Sequence, residues 1–349
     1  MGWTKPLNSK SQVKKAGKQL VDPDVSHEDR AAALAVVNNW RSSHSFPLNT
    51  LQVNLRTHVA RVTSSALVYQ RQKRLASIER KLRDQPTMDL ARMQDLGGAR
   101  AVLDSLEDVT AVVSSLLDSR MRHELKRHDD YISKPKASGY RGHHLTYAYV
   151  SDRSPDWNGH LVELQIRTSV QHAWATAVET FGLFTNQALK SSSGDPEWLR
   201  FFALASSAFA LIEGSPVVPD TPADPEELRA ELAELVKKLN VVSRLNAYTL
   251  AVKQADKVPG AYYVLTLDIP NAQLTIRPFE DLELATATYN ELEALSEEGI
   301  DVVLVKIDSM TTLQKAYPNY FLDASRFLEL LNDALNYVVI DLTSYEDPM

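Results

Sequence analysis

Four short patterns combine residue types that can handle phosphate. In Arg71-Gln-Lys73-Arg-Leu-Ala-Ser77-Ile-Glu-Arg80-Lys81, a helix from about Lys73 would put Lys73, Ser77 and Lys81 at i, i+4 and i+8 on one face. Such a row can meet several phosphate oxygens at once; the ordinary alternative is a solvated basic face. In Asp95-Leu-Gly-Gly-Ala-Arg100, an acid at a strand entrance could hold Mg²⁺, and Arg100 could pair with phosphate through its fork; the alternative is a cap plus a salt bridge. Between Asp130 and His144, Lys134, Lys136, Arg141 and His143 surround a Gly139 turn. Tyr140 there could stack a nucleobase or simply plug the core. In Glu163-Leu-Gln165-Ile-Arg167-Thr168, strand alternation puts Glu163, Gln165 and Arg167 on one face and Leu164 and Ile166 on the other. A carboxylate in that row could ligate a metal or accept a hydroxyl proton; a one-sided solvated strand is the alternative.

These residues need elements to hold them. Ser26 reads as the N-cap of a helix over 30–40, and 49–69 as a longer helix with Leu51, Leu55, Val59 and Val62 on one stripe. Strands are predicted at 96–103, 143–150 and 161–168, and helices at 106–117 and 169–184. Four prolines in 214–225 mark a linker. Beyond it the pattern predicts a helix over 226–245, strands at 262–269 and 273–278, an acidic helix over 281–298, a buried strand at 300–307 and a last helix over 324–335. The mixture predicts an α+β fold, a mixed sheet flanked by helices followed by a smaller C-terminal α+β domain. The expected division is 1–215, a Pro-rich linker at 216–225, and an acidic domain at 226–349.

Composition narrows the class. The 349 residues are 44% hydrophobic and 24% charged, with no cysteine, which excludes disulfides, thiolate metal sites and a cysteine nucleophile. The longest mostly apolar stretch, 201–212, is far short of the roughly 20 residues of a membrane span. With no apolar signal region at the N-terminus, a cytoplasmic protein is expected. The net charge of -7 is unevenly spread: residues 1–200 carry 28 Lys+Arg against 21 Asp+Glu, and the remainder 10 against 24. Residues 1–83 alone hold 15 basic against 5 acidic groups.

Together the four patterns, in this order, resemble the RelA/SpoT synthetase family over about residues 50–185. Its Arg-x-Lys…Ser-Ile…Lys segment matches Arg71, Lys73, Ser77 and Lys81, and its Asp-Leu-x-x-x-Arg matches Asp95 and Arg100. Its Asp-Tyr-Ile…Pro-Lys…Gly-Tyr…His-x-Thr element matches Asp130, Tyr131, Pro135, Lys136, Gly139, Tyr140, His144 and Thr146, and its Glu-x-Gln-Ile-Arg-Thr matches Glu163 to Thr168. The resemblance implies an ATP-dependent pyrophosphokinase that moves the β,γ-pyrophosphate of ATP to a ribose 3′-hydroxyl. Arg71, Lys73, Ser77 and Arg100 would bind ATP, and Asp95 and Glu163 would hold Mg²⁺, with Glu163 as candidate base. Tyr140, His144, Lys136, Gln165 and Arg167 would serve the acceptor. The family's hydrolase domain is not expected, and His128-Asp129 is read as incidental.

Two features refine the resemblance. Asp129 stands where guanosine-alarmone makers usually carry a base facing the acceptor's 5′-phosphates, and a carboxylate would repel them. Tyr317 and Tyr320 resemble the neutralisation element of the CapRel-type branch, phage-sensing toxin–antitoxin fusions. That likeness implies tRNA as acceptor, an inhibitory C-terminal domain folding over the basic site, and a phage protein such as capsid protein as trigger. The alternative is a (p)ppGpp synthetase using GDP or GTP, with a C-terminal binding or oligomerisation domain.

Overall fold

The computed structural model describes residues 3–184, 195–239, 241–242, 245, 262–268, 273–295, 300–306 and 324–336. Three helices come first: α1 (Lys10–Val21), α2 (His27–Ser43) and α3 (Ser45–Ala60). Ser26 caps α2 as expected, its hydroxyl accepting from the Asp29 amide at 3.1 Å. Helix α1 was not anticipated. Its signal is a capping box: Ser9 Oγ accepts from the Gln12 amide, and Gln12 Oε1 accepts from the Ser9 amide at 2.8 Å.

The long helix expected over 49–69 is instead α3 followed by an edge strand, β1 (Leu67–Gln72). Leu67, Val68 and Tyr69 extend the apolar run but are strand formers, and they pair antiparallel with β2 (Gly97–Leu103). Helix α4 (Leu75–Asp84) therefore starts after Lys73, whose amide is held by the Leu96 carbonyl at 2.9 Å. Helix α5 (Leu106–Leu117) leads to β3 (Glu124–Asp130), a further unexpected strand. Its run of charged residues is explained by its place: it is the far edge of the sheet and mostly exposed.

With β4 (His143–Ala148) and β5 (Leu161–Thr168) the sheet is complete in the order β1-β2-β5-β4-β3. Only β2 and β5 run parallel; the other neighbours are antiparallel. One face carries the core that α3 and α5 cover, built from Leu51, Leu55, Ala99, Ala101, Val112, Leu164 and Ile166. The opposite face of β5 carries Glu163 and Gln165, as alternation predicts.

Helices α6 (Ser169–Phe184) and α7 (Pro196–Ile212) follow, then α8 (Pro225–Lys238). Pro225 opens α8 at its first turn beneath the Asp224 cap. Strands β6 (Tyr262–Asp268), β7 (Gln273–Phe279) and β8 (Ile300–Lys306) form a second, antiparallel sheet in the order β7-β6-β8, packed by α9 (Leu282–Leu295). Helix α10 (Ser325–Asn336) returns to α6, α7 and α8, and its Phe327 joins Phe181, Trp198, Phe201, Phe202 and Phe209 in one core. The last helices of the chain are thus divided between two cores: α8 and α10 share one with α6 and α7, while α9 covers the second sheet.

Behind β1 and β2 lies a histidine cluster. His44 and His160 are almost fully buried beside Trp40. Each accepts or donates at one ring nitrogen to a backbone carbonyl, His44 with Trp40 and His160 with Trp157, and His160 Nε2 meets Ser43 Oγ at 2.8 Å. Burial, with mutual repulsion, pushes His44 down to about 3, and burial takes His160 down to about 4. Both are neutral in the fold and protonate in the unfolded chain near 6.5, so their contribution is complete above pH 6.5 and lost as pH falls toward 4. Each should cost about 1.4 kcal/mol of stability per pH unit below 6.5. Urea unfolding at pH 7.5 and 5 should therefore give a clearly lower midpoint at pH 5, before the carboxylates titrate. Equal midpoints would contradict the buried neutral pair.

Candidate active site

The parallel pairing of β2 with β5 sets the site. Its register places Gly98 opposite Glu163 and Arg100 opposite Gln165. On β1, Tyr69 pairs with Arg100 and Arg71 with Gly98. These residues face an open, polar cleft lined by Tyr69, Arg71, Lys73, Arg74, Ser77, Asp95, Gly98, Arg100, Glu163 and Gln165. A second pocket, of about 390 Å³, between α7, α8 and α10 is mainly apolar and holds none of the expected site residues.

At the basic end, Asp95 is gripped on both oxygens. Lys73 Nζ donates to Oδ2 at 2.8 Å and Lys81 Nζ to Oδ1 at 3.0 Å. Burial pushes the Asp95 carboxyl up, but the two ammonium groups outweigh it and the net is below the usual range. Burial likewise draws Lys73 down, with Asp95 restoring part of the shift. Lys73, Ser77 and Lys81 do lie on one side, although Lys73 belongs to the turn before α4 rather than to the helix.

From there a polar chain crosses the sheet. Tyr69 OH accepts from Arg100 Nη1 at 2.9 Å, and Arg100 Nε donates to Gln165 Oε1 at 3.0 Å. Gln165 Nε2 donates to Glu163 Oε2 at 2.7 Å, and Glu163 Oε1 meets His144 Nδ1 at 2.9 Å. His144 Nε2 in turn meets the Tyr140 hydroxyl at 2.5 Å. Burial raises the Glu163 carboxyl, but the His144 hydrogen bond and charge lead the opposing effects and hold it below the ordinary glutamate value. Glu163 is therefore ionised and accepts from His144 Nδ1. Glu163 retains lone pairs for a further proton or cation.

The expected acceptor residues flank this chain. Lys136 Nζ sits 4.1 Å from the Tyr131 ring centroid and 5.4 Å from that of Tyr140. Arg167 does not reach the cleft wall. It is 2% exposed, beneath Arg100 and hydrogen-bonded to His172, and burial followed by repulsion from Arg100 lowers it to about 10, still cationic at neutral pH. Tyr317 and Tyr320 lie outside the described residues.

The residue that sequence reasoning missed is Glu213, just past α7. Arg141, next to Tyr140, donates from Nη1 to Glu213 Oε2 at 2.7 Å, and Thr168, at the end of β5, donates to Oε1. Arg141 Nε also donates to Ser206 Oγ, which caps the Gly139 carbonyl at 2.6 Å. Gly139 itself has φ +90°, and a Cβ there would lie 2.7 Å from the Trp174 ring, so this turn needs glycine. One buried carboxylate thus ties the Tyr140 loop to the end of β5. Only the isolated polar residues at the end of an apolar helix could have signalled it.

Two carboxylates, Asp95 and Glu163, line the cleft, and among the described residues no group of three or more potential ligands could cage a metal. That donor set fits Mg²⁺, which keeps waters and shares its shell with substrate phosphates.

Residues 70–182 match the sequence profile of the region found in RelA / SpoT proteins. The chain is similar to the GTP pyrophosphokinase YjbM of Bacillus subtilis, 35% identical over 108 residues that cover 30% of this chain and 51% of that protein. It is also similar to the GTP pyrophosphokinase of Escherichia coli K12, 30% identical over 119 residues, 34% of this chain and 15% of the other. The chain thus spans about half the length of the first relative and a smaller part of the second. Among solved structures it is similar to the small alarmone synthetase 1 of Bacillus subtilis bound to its product pppGpp, at 27% identity and a TM-score of 0.42, over 49% of this chain and 89% of that one.

Glu213→Ala should destabilise the protein by about 3–5 kcal/mol, because it strands the buried Arg141 guanidinium. Arg141→Met combined with Glu213→Leu should recover much of that loss, since no unpaired charge remains. Denaturant unfolding of the three proteins checks both statements, and a loss under 1 kcal/mol in Glu213→Ala would contradict the first.

Proposed function

We propose that the cleft is the active site of an ATP-dependent pyrophosphokinase whose acceptor is the ribose 3′-hydroxyl of GDP or GTP. The observation that carries this reading is Glu163, held by His144 and Gln165, facing the same cleft as Arg71, Lys73, Ser77 and Arg100. A carboxylate beside a cationic wall suits transfer of a polyphosphate to a hydroxyl: the wall binds the donor's oxygens, and the carboxylate accepts the hydroxyl proton. The acceptor oxygen bonds to the β-phosphorus, the bond from that phosphorus to the α–β bridging oxygen breaks, and AMP leaves. Asp95 and Glu163 would hold Mg²⁺, which would neutralise phosphate charge. Lys73 and Lys81 are engaged by Asp95, which sets two ammonium groups beside the donor's phosphates. Tyr140, fixed through its hydroxyl, offers a ring for the acceptor base.

The guanosine acceptor rests on the names of the relatives and on the pairing of Asp129 with Arg127. That carboxylate pairs with Arg127 Nε at 2.7 Å, and the guanidinium offsets the repulsion it would exert on 5′-phosphates. A second reading, tRNA as acceptor in a CapRel-type toxin–antitoxin fusion, is favoured by one feature: Lys10, Lys14, Lys15 and Lys18 all stand exposed on α1, where they could meet backbone phosphates. In that reading the acidic C-terminal part covers the site until a phage protein such as capsid protein displaces it.

The purified protein, given γ-labelled ATP with GDP, GTP or bulk tRNA, should label the guanosine nucleotides. Label found only in tRNA would replace the first reading by the second, and label in none would remove the first while leaving a covered, autoinhibited site in place. Asp95→Asn and Glu163→Gln should each lower turnover by about 10²-fold or more while the fold stays intact by circular dichroism. A Glu163→Gln enzyme with near-normal turnover would remove the assigned base.

A further inference from the structure

Helix α4 carries Ser77 into the cleft and Lys81 to Asp95 at its edge, yet its own N-cap, Arg74, supplies no capping side chain. The cap comes from the second sheet's helix, α9. Glu293 Oε1 accepts from the Leu75 amide, the first of the helix, at 3.1 Å. The same carboxylate is held by Arg41 of α2 through both guanidinium nitrogens, Nη1 to Oε1 and Nη2 to Oε2, each at 3.0 Å. The two side chains are 6% and 12% exposed. Tyr289, one turn before Glu293, lies beneath the guanidinium with its ring centroid 5.8 Å from Arg41 Cζ. Burial raises the Glu293 carboxyl, but the hydrogen bond from Arg41 leads the effects that bring it below the usual range, so it is anionic. Arg41 is in turn fixed to β1, because Gln72 Nε2 donates to its carbonyl oxygen at 3.0 Å.

An anion at a helix N-terminus satisfies a backbone donor and complements the helix dipole. Here it arrives from more than two hundred residues away in sequence and is oriented by a forked arginine. The capped turn is the one between Lys73 and Ser77. We propose that Glu293 is a positioning residue for the donor pocket: the C-terminal sheet unit caps α4 in trans and so holds Ser77 and Lys81 where they meet ATP phosphates. The proposal deepens the pyrophosphokinase reading and rests on it for the identity of the ligand. It assigns the second sheet a supporting part in donor binding.

The test uses the full-length protein and the non-hydrolysable analogue AMP-CPP with Mg²⁺, so that binding is read without turnover. The wild type should bind it; absence of binding would sink the pyrophosphokinase reading itself and, with it, this one. Glu293→Gln should weaken the analogue about 3- to 10-fold, the effect of losing the negative charge at the start of α4 and its ion pair with Arg41. Amide exchange in a 73–84 peptide should quicken, while GDP affinity stays within about 2-fold. Arg41→Lys, which keeps the charge but loses the fork, should reproduce the pattern to a smaller degree. Three results would overturn the proposal. One is unchanged analogue affinity in Glu293→Gln. Another is tighter binding or higher activity, which would make the contact a restraint. The last is an equal loss for analogue and GDP with a lowered Tm, which would make it a general structural tie.

Discussion

A charge must survive in the middle of this sheet. The Glu163 side chain is only 13% exposed, on a strand whose alternate residues fill a dry core, and burial pushes its carboxyl toward the protonated form. Its ionisation is secured by donors on both sides, His144 on one oxygen and Gln165 on the other. Those donors are themselves fixed, His144 by Tyr140 and Gln165 by Arg100, and Arg100 by Tyr69. Four of the five strands contribute to keeping one carboxylate charged or to the cationic wall opposite it. A half-satisfied network in such a place would be worse than an apolar one, so its members depend on one another.

The parallel β2–β5 pair makes this possible with little material. Small residues on β2, Gly98 among them, leave the cleft open, while the same strand's Ala99 and Ala101 pack under α3. The wall and the core are then two faces of one ladder, and a change in register by one residue would exchange them. The helices act on this ladder from outside. α7 fixes the Tyr140 loop through Ser206 and Glu213, and α9 fixes the start of α4 through Glu293.

Much of this was legible in the sequence because it repeats locally. Strand β5 and helices α5 and α6 have the expected limits, since alternation or a helical stripe with clear ends specifies them. Glu163 and Gln165 face the cleft as alternation demands. β1 was hidden because Leu67-Val-Tyr69 continues the apolar run of α3, and the difference between strand and helix there is decided by the partner strand. β3 was hidden because an exposed edge strand needs no apolar face. Arg41–Glu293 and Arg141–Glu213 left no local trace at all: each joins residues far apart in sequence, and any surface helix could carry such charges. The burial of Arg167 follows the same logic, since alternation gives its side of the strand but not what covers it.

The Arg141–Glu213 pair also bears on how this chain may be cut. The recognisable sequence region closes at residue 182, within α6, but the carboxylate that neutralises Arg141 of the Tyr140 loop stands about thirty residues later. A fragment drawn to the recognisable limit would bury a cation with no counter-ion. The functional module is bounded by electroneutrality rather than by similarity, and that boundary falls beyond α7.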